Sequence, residues 1–440
     1  MNLVYGIKDK PKFGQMLIFA LQQVLAILAA TIAVPAIVGN GMSASAALFG
    51  AGVGTIVYQL FTKFRSPVFL GSSFAFIGSM VTAFAGAVSA SAGFAGLIIG
   101  AVFAGLVYVV IAIIIKIAGV KWIDKLMPPV VIGPTVALIG LSLAGAAISD
   151  VFSYGPVDAN GSFIMTSNIW ASFICAMVTL LVVIIVSVYG KKMAKMIPFI
   201  IGILAGYVVA AIFTVCGIPV IDFSLFSDLQ FIAVPEFTFI EAMKGVKELD
   251  GSYFATVAVA YIPVAFVVFA EHIADHKNLS TIIDTDLLTD PGLHRTLLGD
   301  GVGSIVGAIF GGCPNTTYGE SVGCVAITRN ASVVTITTAA IMCIVISFFG
   351  PFVAFLDSIP GCVMGGVCVT LYGFIAVSGL KMIQKVDLGQ NKNLFVVASI
   401  LIPGIGGMAM AIGKVTITAI ACALILGIIV NLVVSKAKDE

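Results

Sequence analysis

Residues 312–329 read GCPNTTYGESVGCVAITR, a short polar stretch that lies between long apolar segments. Pro314 and several glycines would interrupt a helix here, and Glu320 lies near the centre of the stretch. Irregular backbone occurs at membrane depth only where it lines a cavity or is buried in protein. A carboxylate there costs roughly 2.5–3.5 kcal/mol to insert, so it needs a partner or a function. The alternative is a polar loop outside the bilayer, which the closely flanking apolar segments disfavour.

The overall composition predicts the class of protein. Hydrophobic residues make up 60% of the 440 residues, charged residues make up 10%, and the mean hydropathy is +1.17. Soluble domains carry roughly 25% charged residues, so this composition predicts an all-α polytopic membrane protein. The eight cysteines are scattered through apolar runs without metal-ligand or disulfide spacing. We expect no metal, no cofactor and no nucleic-acid partner, and no removable signal peptide in residues 1–12.

A window of about 20 residues, the length of helix that crosses a bilayer, finds about fourteen apolar segments. They fall near residues 15–38, 44–62, 67–84, 91–115, 128–148, 168–189, 196–215, 254–274, 293–311, 313–328, 331–355, 359–379, 394–413 and 415–435. The longest polar connections are 149–167 and 217–252, and neither is long enough for a separate soluble domain. We therefore expect residues 1–440 to form one integral membrane unit.

The basic residues predict the orientation of these segments. If the N-terminus is cytoplasmic, only Lys244, Lys247 and Lys414 face outside. All other lysines and arginines then lie on the cytoplasmic side. Changing the number of segments by one in mid-chain would lose this asymmetry, which supports fourteen segments with both termini cytoplasmic.

A weak internal repeat relates the two halves of the chain. The segment PPVVIGPTVALIGLSLAG from Pro128 resembles PGCVMGGVCVTLYGFIAVSG from Pro360, with Gly133 and Gly365 at matching positions. The third segment, PVFLGSSFAFIGSM from Pro67, corresponds in the same way to the polar tenth segment. Both pairs are seven segments apart, and this shared offset supports an internal repeat.

Because seven is odd, the second copy must cross the membrane in the opposite sense. The predicted repeats are residues 1–216 and 252–440. Short segments interrupted by glycine and proline, at matching positions of inverted halves, are typical of the central site of a transporter. We expect broken half-helices with short extended stretches in the third and tenth segments.

Few ionisable residues fall within the apolar segments. They are Glu271 and Asp275, one helical turn apart, together with Asp300 and Glu320. An alternative interpretation of Glu271 is a glutamate at a helix end, facing the cytoplasm. An alternative interpretation of Asp300 is that it makes a hydrogen bond across a contact between helices. Of the three histidines, we expect His276 and His294 near the interface. The histidines have no metal-ligand spacing and belong to no nucleophile–base set, which argues against an intramembrane enzyme.

Two buried carboxylates can each hold or release a proton near neutral pH, and they accept hydrogen bonds from N–H groups. Half-helix N-termini in the third and tenth segments would donate backbone N–H groups to carbonyl oxygens. Phe74, Phe76 and Tyr318 are aromatic residues that could stack on a flat ring. Uracil, with two N–H and two C=O groups, fits this set. A transporter of anions would need a positive site, and no lysine or arginine lies mid-membrane.

Several motifs resemble the nucleobase–ascorbate transporter family, most closely its uracil-carrying branch. They are GSSFAF at 71–76, AEH at 270–272, DPGLHR at 290–295, PNTTYGE at 314–320 and the following Thr328-Arg329. The resemblance covers essentially the whole chain. It implies fourteen spans in two inverted repeats, a core and a gate domain, and often a homodimer. It also implies proton-coupled uptake of uracil across the cytoplasmic membrane, with purine or xanthine symport as the alternative.

The resemblance assigns roles to individual residues. Glu271 and Glu320 would bind the base, surrounded by Ala75, Phe76, Tyr318, Gly319 and Ser321. Glu271, Asp275 and Glu320 would take part in proton coupling. Supporting positions are Gln22, Ser72, Ser73, Asn315, Thr317 and Asp300.

The chain departs from the family pattern at three places. Asp275 stands where some uracil-carrying relatives have histidine, so the proton route can differ. Gln22-Gln23 stands where a Gln-His pair is common, and only Gln22 matches. Ser321 stands where the family usually has asparagine, a change that bears on the choice of base.

Overall fold

A computed structural model describes residues 3–119, 122, 128–191, 194–227, 229–412 and 415–435. Several residues used to predict the orientation lie outside this part of the chain. They are Lys121, Lys125, Lys192, Lys414, Lys436 and Lys438.

The first half of the chain is mostly helical. Its elements are α1 (Phe13–Val38), α2 (Ala44–Phe61), β1 (Leu70–Ser72), α3 (Ile77–Ala85), α4 (Ala90–Ala118), α5 (Pro129–Ser142), α6 (Ala144–Val151), α7 (Ser167–Tyr189) and α8 (Pro198–Val215). A short 3₁₀ turn, Phe74–Phe76, connects β1 to α3.

The second half follows a largely irregular connection with one short 3₁₀ turn, Phe223–Phe226, and has a similar order of elements. They are α9 (Thr238–Gly245), α10 (Gly251–Ile283), α11 (Leu293–Gly311), β2 (Asn315–Thr317), α12 (Gly319–Thr328), α13 (Val333–Ile346), α14 (Gly350–Asp357), α15 (Gly361–Ile383), α16 (Asn391–Ile405), β3 (Met410–Ile412), β4 (Val415–Ile417) and α17 (Ala419–Val434).

The helices identify an integral membrane protein. Within the described residues, eight helical segments are long and apolar enough to cross a bilayer, and four shorter apolar helices accompany them. The longest, α10, has 33 residues and continues to Ile283, beyond the end predicted at residue 274. Glu271 therefore lies well inside a helix. The apolar window missed this extension because Asp275, His276 and Lys277 are polar, although they remain helical.

The two broken segments pair with each other. Strands β1 and β2 are antiparallel, with Leu70 opposite Thr317 and Ser72 opposite Asn315. Since each strand is followed by a helix, α3 and α12 begin at opposite ends of this small ribbon. Gly71 permits the close approach, because a Cβ atom there would lie 2.3 Å from the Tyr318 ring.

Helices α2 and α11 pack more closely than ordinary side chains allow. A Cβ atom on Gly50 would lie 2.6 Å from the Gly307 carbonyl oxygen, and one on Gly303 would lie 3.0 Å from the Gly54 carbonyl oxygen. Glycine removes these obstacles and lets the two backbones touch. We call this pair of helices the α2–α11 platform.

The helices pack in two groups. The first group contains the platform and comprises α1 to α4 and α9 to α13, with the β1–β2 ribbon inside it, and the short α14 contacts α2 of this group. The second comprises α5 to α8 and α15 to α17. Helices α1 and α10 of the first group contact the second, through α8, α15, α5 and α17.

Candidate functional site

A cavity of about 390 Å³ opens between the two helix groups. A smaller one of about 80 Å³ adjoins it and shares several of its walls, and together we call them the central cavity. Its lining residues are Ser73, Phe74, Ala75, Val136, Ile139, Phe199, Val267, Glu271, Ala274, Asp275, Thr316, Thr317, Tyr318, Gly319, Glu320, Leu371, Phe374, Ile375, Ser378 and Met382.

Two helix starts form one wall of the central cavity. One follows Ser73, where the 3₁₀ turn begins, and the other follows Tyr318, where α12 begins. The residues that precede the two helices, Ser73 and Tyr318, do not cap them with their own side chains. The first N–H groups of a helix have no partner within it, and they carry a partial positive charge. This wall can therefore donate hydrogen bonds to oxygen atoms in the cavity.

Three carboxylates face the same space. Glu271 and Asp275 come from successive turns of α10, and Glu320 comes from the first turn of α12. The Thr317 hydroxyl donates a hydrogen bond to Asp275 Oδ2 at 3.1 Å, which links β2 to α10. Acidic acceptors on one element and backbone donors on another can bind a small polar solute from two sides.

The opposite wall is largely apolar and comes from the second helix group. Its residues are Val136 and Ile139 of α5, Phe199 of α8, and Leu371, Phe374, Ile375, Ser378 and Met382 of α15. Sequence reasoning did not identify this wall, since its residues look like any others in an apolar helix. No lysine, arginine or histidine is among the described residues that line the central cavity.

The aromatic residues occupy different places. Phe74 lines the cavity, whereas Phe76 is 1% exposed and stacks on Tyr261 with ring centroids 5.5 Å apart. Tyr318 lines the smaller cavity, and its hydroxyl donates to the Ser72 carbonyl oxygen at 2.6 Å. The structure thus brings Phe74 and Tyr318 to the cavity and puts Phe76 behind it.

Of the small residues assigned to the site, Ala75, Gly319 and Ser73 line the cavity. Ser321 is buried away from it, where its hydroxyl accepts hydrogen bonds from Gln23 Nε2 and, at 3.1 Å, from the Phe69 backbone N–H. Ser321 therefore ties α12 to α1 and to the residue before β1. The spacing PNTTYGES could not show that Ser321 turns away from Glu320.

The supporting residues lie mostly behind the ribbon. Asn315 donates from Nδ2 to the Gly50 carbonyl oxygen at 2.9 Å, and its own carbonyl oxygen accepts from the Ser304 hydroxyl. Ser72 supplies the carbonyl oxygen that binds Tyr318. Gln22 is buried on α1, and its Oε1 atom has no hydrogen-bond partner among the described residues.

Asp300 lies deeper still, fully buried on α11. Its Oδ2 atom is 2.7 Å from His272 Nδ1, so its contact is with a histidine and not with the cavity. His276, which was expected near the membrane interface, is 0% exposed and therefore lies inside the protein and not on its surface. Its burial follows from the extension of α10, which continues through this residue as a packed helix. His294 is half-buried in the first turn of α11.

Comparison with known sequences identifies relatives over the whole length. The model of a permease family, Xan_ur_permease, matches residues 14–413. The uracil permease of Bacillus subtilis (strain 168) is 38% identical over 439 residues, which cover 99% of this chain and 96% of that protein. The uracil permease of Escherichia coli (strain K12) is 34% identical over 431 residues, covering 97% of this chain and 93% of that protein.

Solved structures show the same fold. The transmembrane domain of a cyanobacterium bicarbonate transporter, BicA, has a TM-score of 0.63 at 14% identity and covers 97% of this chain and 100% of that one. The murine Solute Carrier 26 family member A9 anion transporter, in the inward-facing state, has a TM-score of 0.70 at 12% identity. That match covers 97% of this chain and 69% of the other. At these identities the likeness concerns the fold alone.

Proposed function

This chain belongs to the Xan_ur_permease permease family, and on that premise we propose that it is a transporter that takes up uracil by proton-coupled symport. The full-length similarity to uracil permeases supports the substrate. We further propose that the chain lies in the cytoplasmic membrane with both termini in the cytoplasm, and that it can form a homodimer. It acts as a carrier and not as an enzyme.

The observation that carries this proposal is the convergence of two carboxylates and two uncapped helix starts on one cavity. Glu271 and Glu320 would accept hydrogen bonds from the two N–H groups of uracil. Backbone N–H groups near Ala75 and Gly319 would donate to its carbonyl oxygens. Hydrogen bonds that involve a charged group contribute about 1.5–3 kcal/mol each, enough to select a solute with this pattern of donors and acceptors.

The ring of the base would lie against aromatic and apolar side chains. Phe74 and Tyr318 are at the cavity, and Phe76 would support them from behind through its stack on Tyr261. A flat heterocycle gains apolar and stacking contacts from such walls. Ser321 would act on the base through the position of α12, since its hydroxyl is held by Gln23 and Phe69.

Proton coupling would use the carboxylates of the cavity. A proton taken from outside neutralises one of Glu271, Asp275 and Glu320, which reduces the repulsion among them and favours the loaded state. Release of that proton to the cytoplasm restores this repulsion, and the release of uracil follows. The Thr317 hydroxyl keeps Asp275 next to the ribbon, where it can exchange a proton with the other acids.

Movement between two helix groups would expose the cavity to each side in turn. We propose that the first group is a core domain and the second a gate domain, built from two inverted repeats of seven spans each. Reciprocal packing supports the repeats: α3 contacts α10 of the other half, and α12 contacts α1. The position of the cavity between the groups supports a relative displacement that opens one side as it closes the other.

The direct test is uptake of labelled uracil into proteoliposomes, with and without an inward proton gradient. We expect uptake to depend on the gradient, and Glu271→Gln and Glu320→Gln each to abolish it. Glu241→Gln is the matched control, because Glu241 pairs with Lys244 on the surface. Gradient-driven uptake at the wild-type rate in both cavity variants would refute the proposal.

Competition in the same assay separates the alternatives. Excess unlabelled uracil should suppress uptake, whereas xanthine and hypoxanthine should not. Stronger suppression by a purine would identify a purine or xanthine symporter. The structural neighbours are a bicarbonate transporter and an anion transporter, so bicarbonate and chloride belong in the same panel, and we expect neither to compete.

A further inference from the structure

Helix α10 carries two kinds of ionisable residue on neighbouring faces. Glu271 and Asp275 line the central cavity, whereas His272 and His276 are each 0% exposed. Residues four apart lie on the same face of a helix, so the sequence EHIADH produces an acidic face and, next to it, a histidine face. The histidines are not used by the proposed transport cycle, and their contacts indicate another role.

His272 connects α10 to α11. Its Nδ1 atom is 2.7 Å from Asp300 Oδ2, and its Nε2 atom is 3.0 Å from the Thr296 hydroxyl. The Thr296 hydroxyl donates to the Leu293 carbonyl oxygen at 3.1 Å, so it accepts from His272 Nε2. Both nitrogen atoms of the ring therefore have partners on the same helix, which fixes the orientation of the ring.

His276 connects α10 to α2. Its Nδ1 atom lies 2.8 Å from the His272 carbonyl oxygen, which can only accept, so Nδ1 carries a proton. In the neutral ring Nε2 is then an acceptor, and it accepts a hydrogen bond from the Tyr58 hydroxyl at 2.7 Å. The same hydroxyl is 2.7 Å from Ser66 Oγ. The Ser66 hydroxyl lies 3.5 Å from the same nitrogen atom, so loss of the Tyr58 hydroxyl would remove the shorter of the two contacts of this buried acceptor.

Both histidines thus attach α10 to the α2–α11 platform, whose backbones touch at glycines. The platform also holds the ribbon that leads to Glu320, because Asn315 bonds to the Gly50 carbonyl oxygen at 2.9 Å and to the Ser304 hydroxyl. One rigid pair of helices is therefore the common support for the two elements that carry the cavity carboxylates.

We propose that His272 and His276 are positioning residues, which fasten α10 to the α2–α11 platform in the rotation that directs Glu271 and Asp275 into the central cavity. If α10 turned about its axis by one residue, its histidine face would point into the central cavity in place of its acidic face. This inference depends on the proposed function only in the experiment that measures uracil binding.

The test compares two buried tyrosines of the purified full-length protein. Tyr58→Phe removes the hydroxyl that bonds to His276. Tyr108→Phe is the matched control, since the Tyr108 hydroxyl is buried and has no hydrogen-bond partner among the described residues. We expect the Kd for uracil to rise roughly tenfold in Tyr58→Phe and to change less than about twofold in Tyr108→Phe, as one buried hydrogen bond predicts. His276→Gln, which can still donate and accept, should retain more affinity than His276→Leu.

A second readout needs no substrate. The background for this test is a variant with Asp275→Cys and Cys216→Ser. Adding Tyr58→Phe should slow the reaction of the cysteine at the cavity wall with a maleimide several-fold. Adding Tyr108→Phe should leave the rate of that reaction unchanged. Cys216 is the exposed native cysteine, and the others are buried. Equal labelling rates with both tyrosine variants would overturn the inference. If the wild type binds no uracil but labelling still falls, the proposed function fails and the positioning role stands.

Discussion

Replacing Gly71 with alanine should disturb the central cavity more than the addition of one methyl group suggests. The added Cβ atom would lie 2.3 Å from Tyr318 Cε2, whereas ordinary contacts begin near 3.4 Å, so the ring must retreat by about 1 Å. The ring has little freedom, because its hydroxyl is bonded to the Ser72 carbonyl oxygen at 2.6 Å. Gly71 lies in a strand and has no positive φ, so the cost is steric.

The magnitude follows from two contributions. Overpacking of this kind costs about 1–3 kcal/mol, and loss of the Tyr318 hydrogen bond costs about 0.5–1.5 kcal/mol, so we expect the free energy of unfolding to fall by about 1.5–4.5 kcal/mol. Because Tyr318 precedes Gly319 and Glu320, a shift of this size should also raise the Kd for uracil roughly tenfold or more. Thermal unfolding in detergent and equilibrium uracil binding measure the two effects.

Two variants control this experiment. Gly78→Ala makes the same substitution on α3, where the new Cβ atom would meet only Ile420 Cδ1 at 3.9 Å. It should be neutral or slightly stabilising, because alanine favours a helix over glycine by about 0.5–1 kcal/mol. In a Tyr318→Leu background, Gly71→Ala should cost much less than in the wild type. An equal loss of stability in both backgrounds would refute the steric explanation.

Two further predictions concern contacts outside the cavity. Ser321→Ala leaves Gln23 Nε2 and the buried Phe69 N–H without their acceptor, so it should destabilise the protein by about 1–3 kcal/mol, measured as a fall in Tm; an unchanged Tm would contradict this account. Arg65→Ala removes the ion pair with Asp290, in which both side chains are about half exposed, so it should cost less than about 1 kcal/mol, and 0.5 M salt should abolish the difference from the wild type.

The interrupted segments could be predicted because they break local rules. Proline, glycine and small polar residues in 312–329 exclude a regular spanning helix, and the structure has strand β2 followed by helix α12 there. Ionisable residues are equally conspicuous in an apolar chain. Glu271 and Glu320 stood out for this reason, and both face the central cavity.

The orientation of individual side chains could not be predicted in the same way. Phe74 and Phe76 are two residues apart, yet Phe74 faces the cavity and Phe76 stacks on Tyr261. A 3₁₀ turn at this point sets their directions, and no local pattern announces it. The burial of His276 was missed for a related reason, since hydropathy assigned its polar neighbours to an interface although tertiary contacts satisfy them inside the protein.

The sequence by itself determined the membrane class, the positions of the broken helices and the family. It also identified the few ionisable residues that lie in apolar segments despite the cost of placing them in a bilayer. Each of these depends on composition or on local covalent geometry. Only the tertiary structure decided which apolar residues, such as Phe199 and Phe374, complete the cavity. In a membrane protein, lipid-facing and protein-facing surfaces are both apolar, so hydrophobic periodicity cannot distinguish them. The α2–α11 platform likewise depends on glycines far apart in the chain, which become neighbours only when the two helices pack.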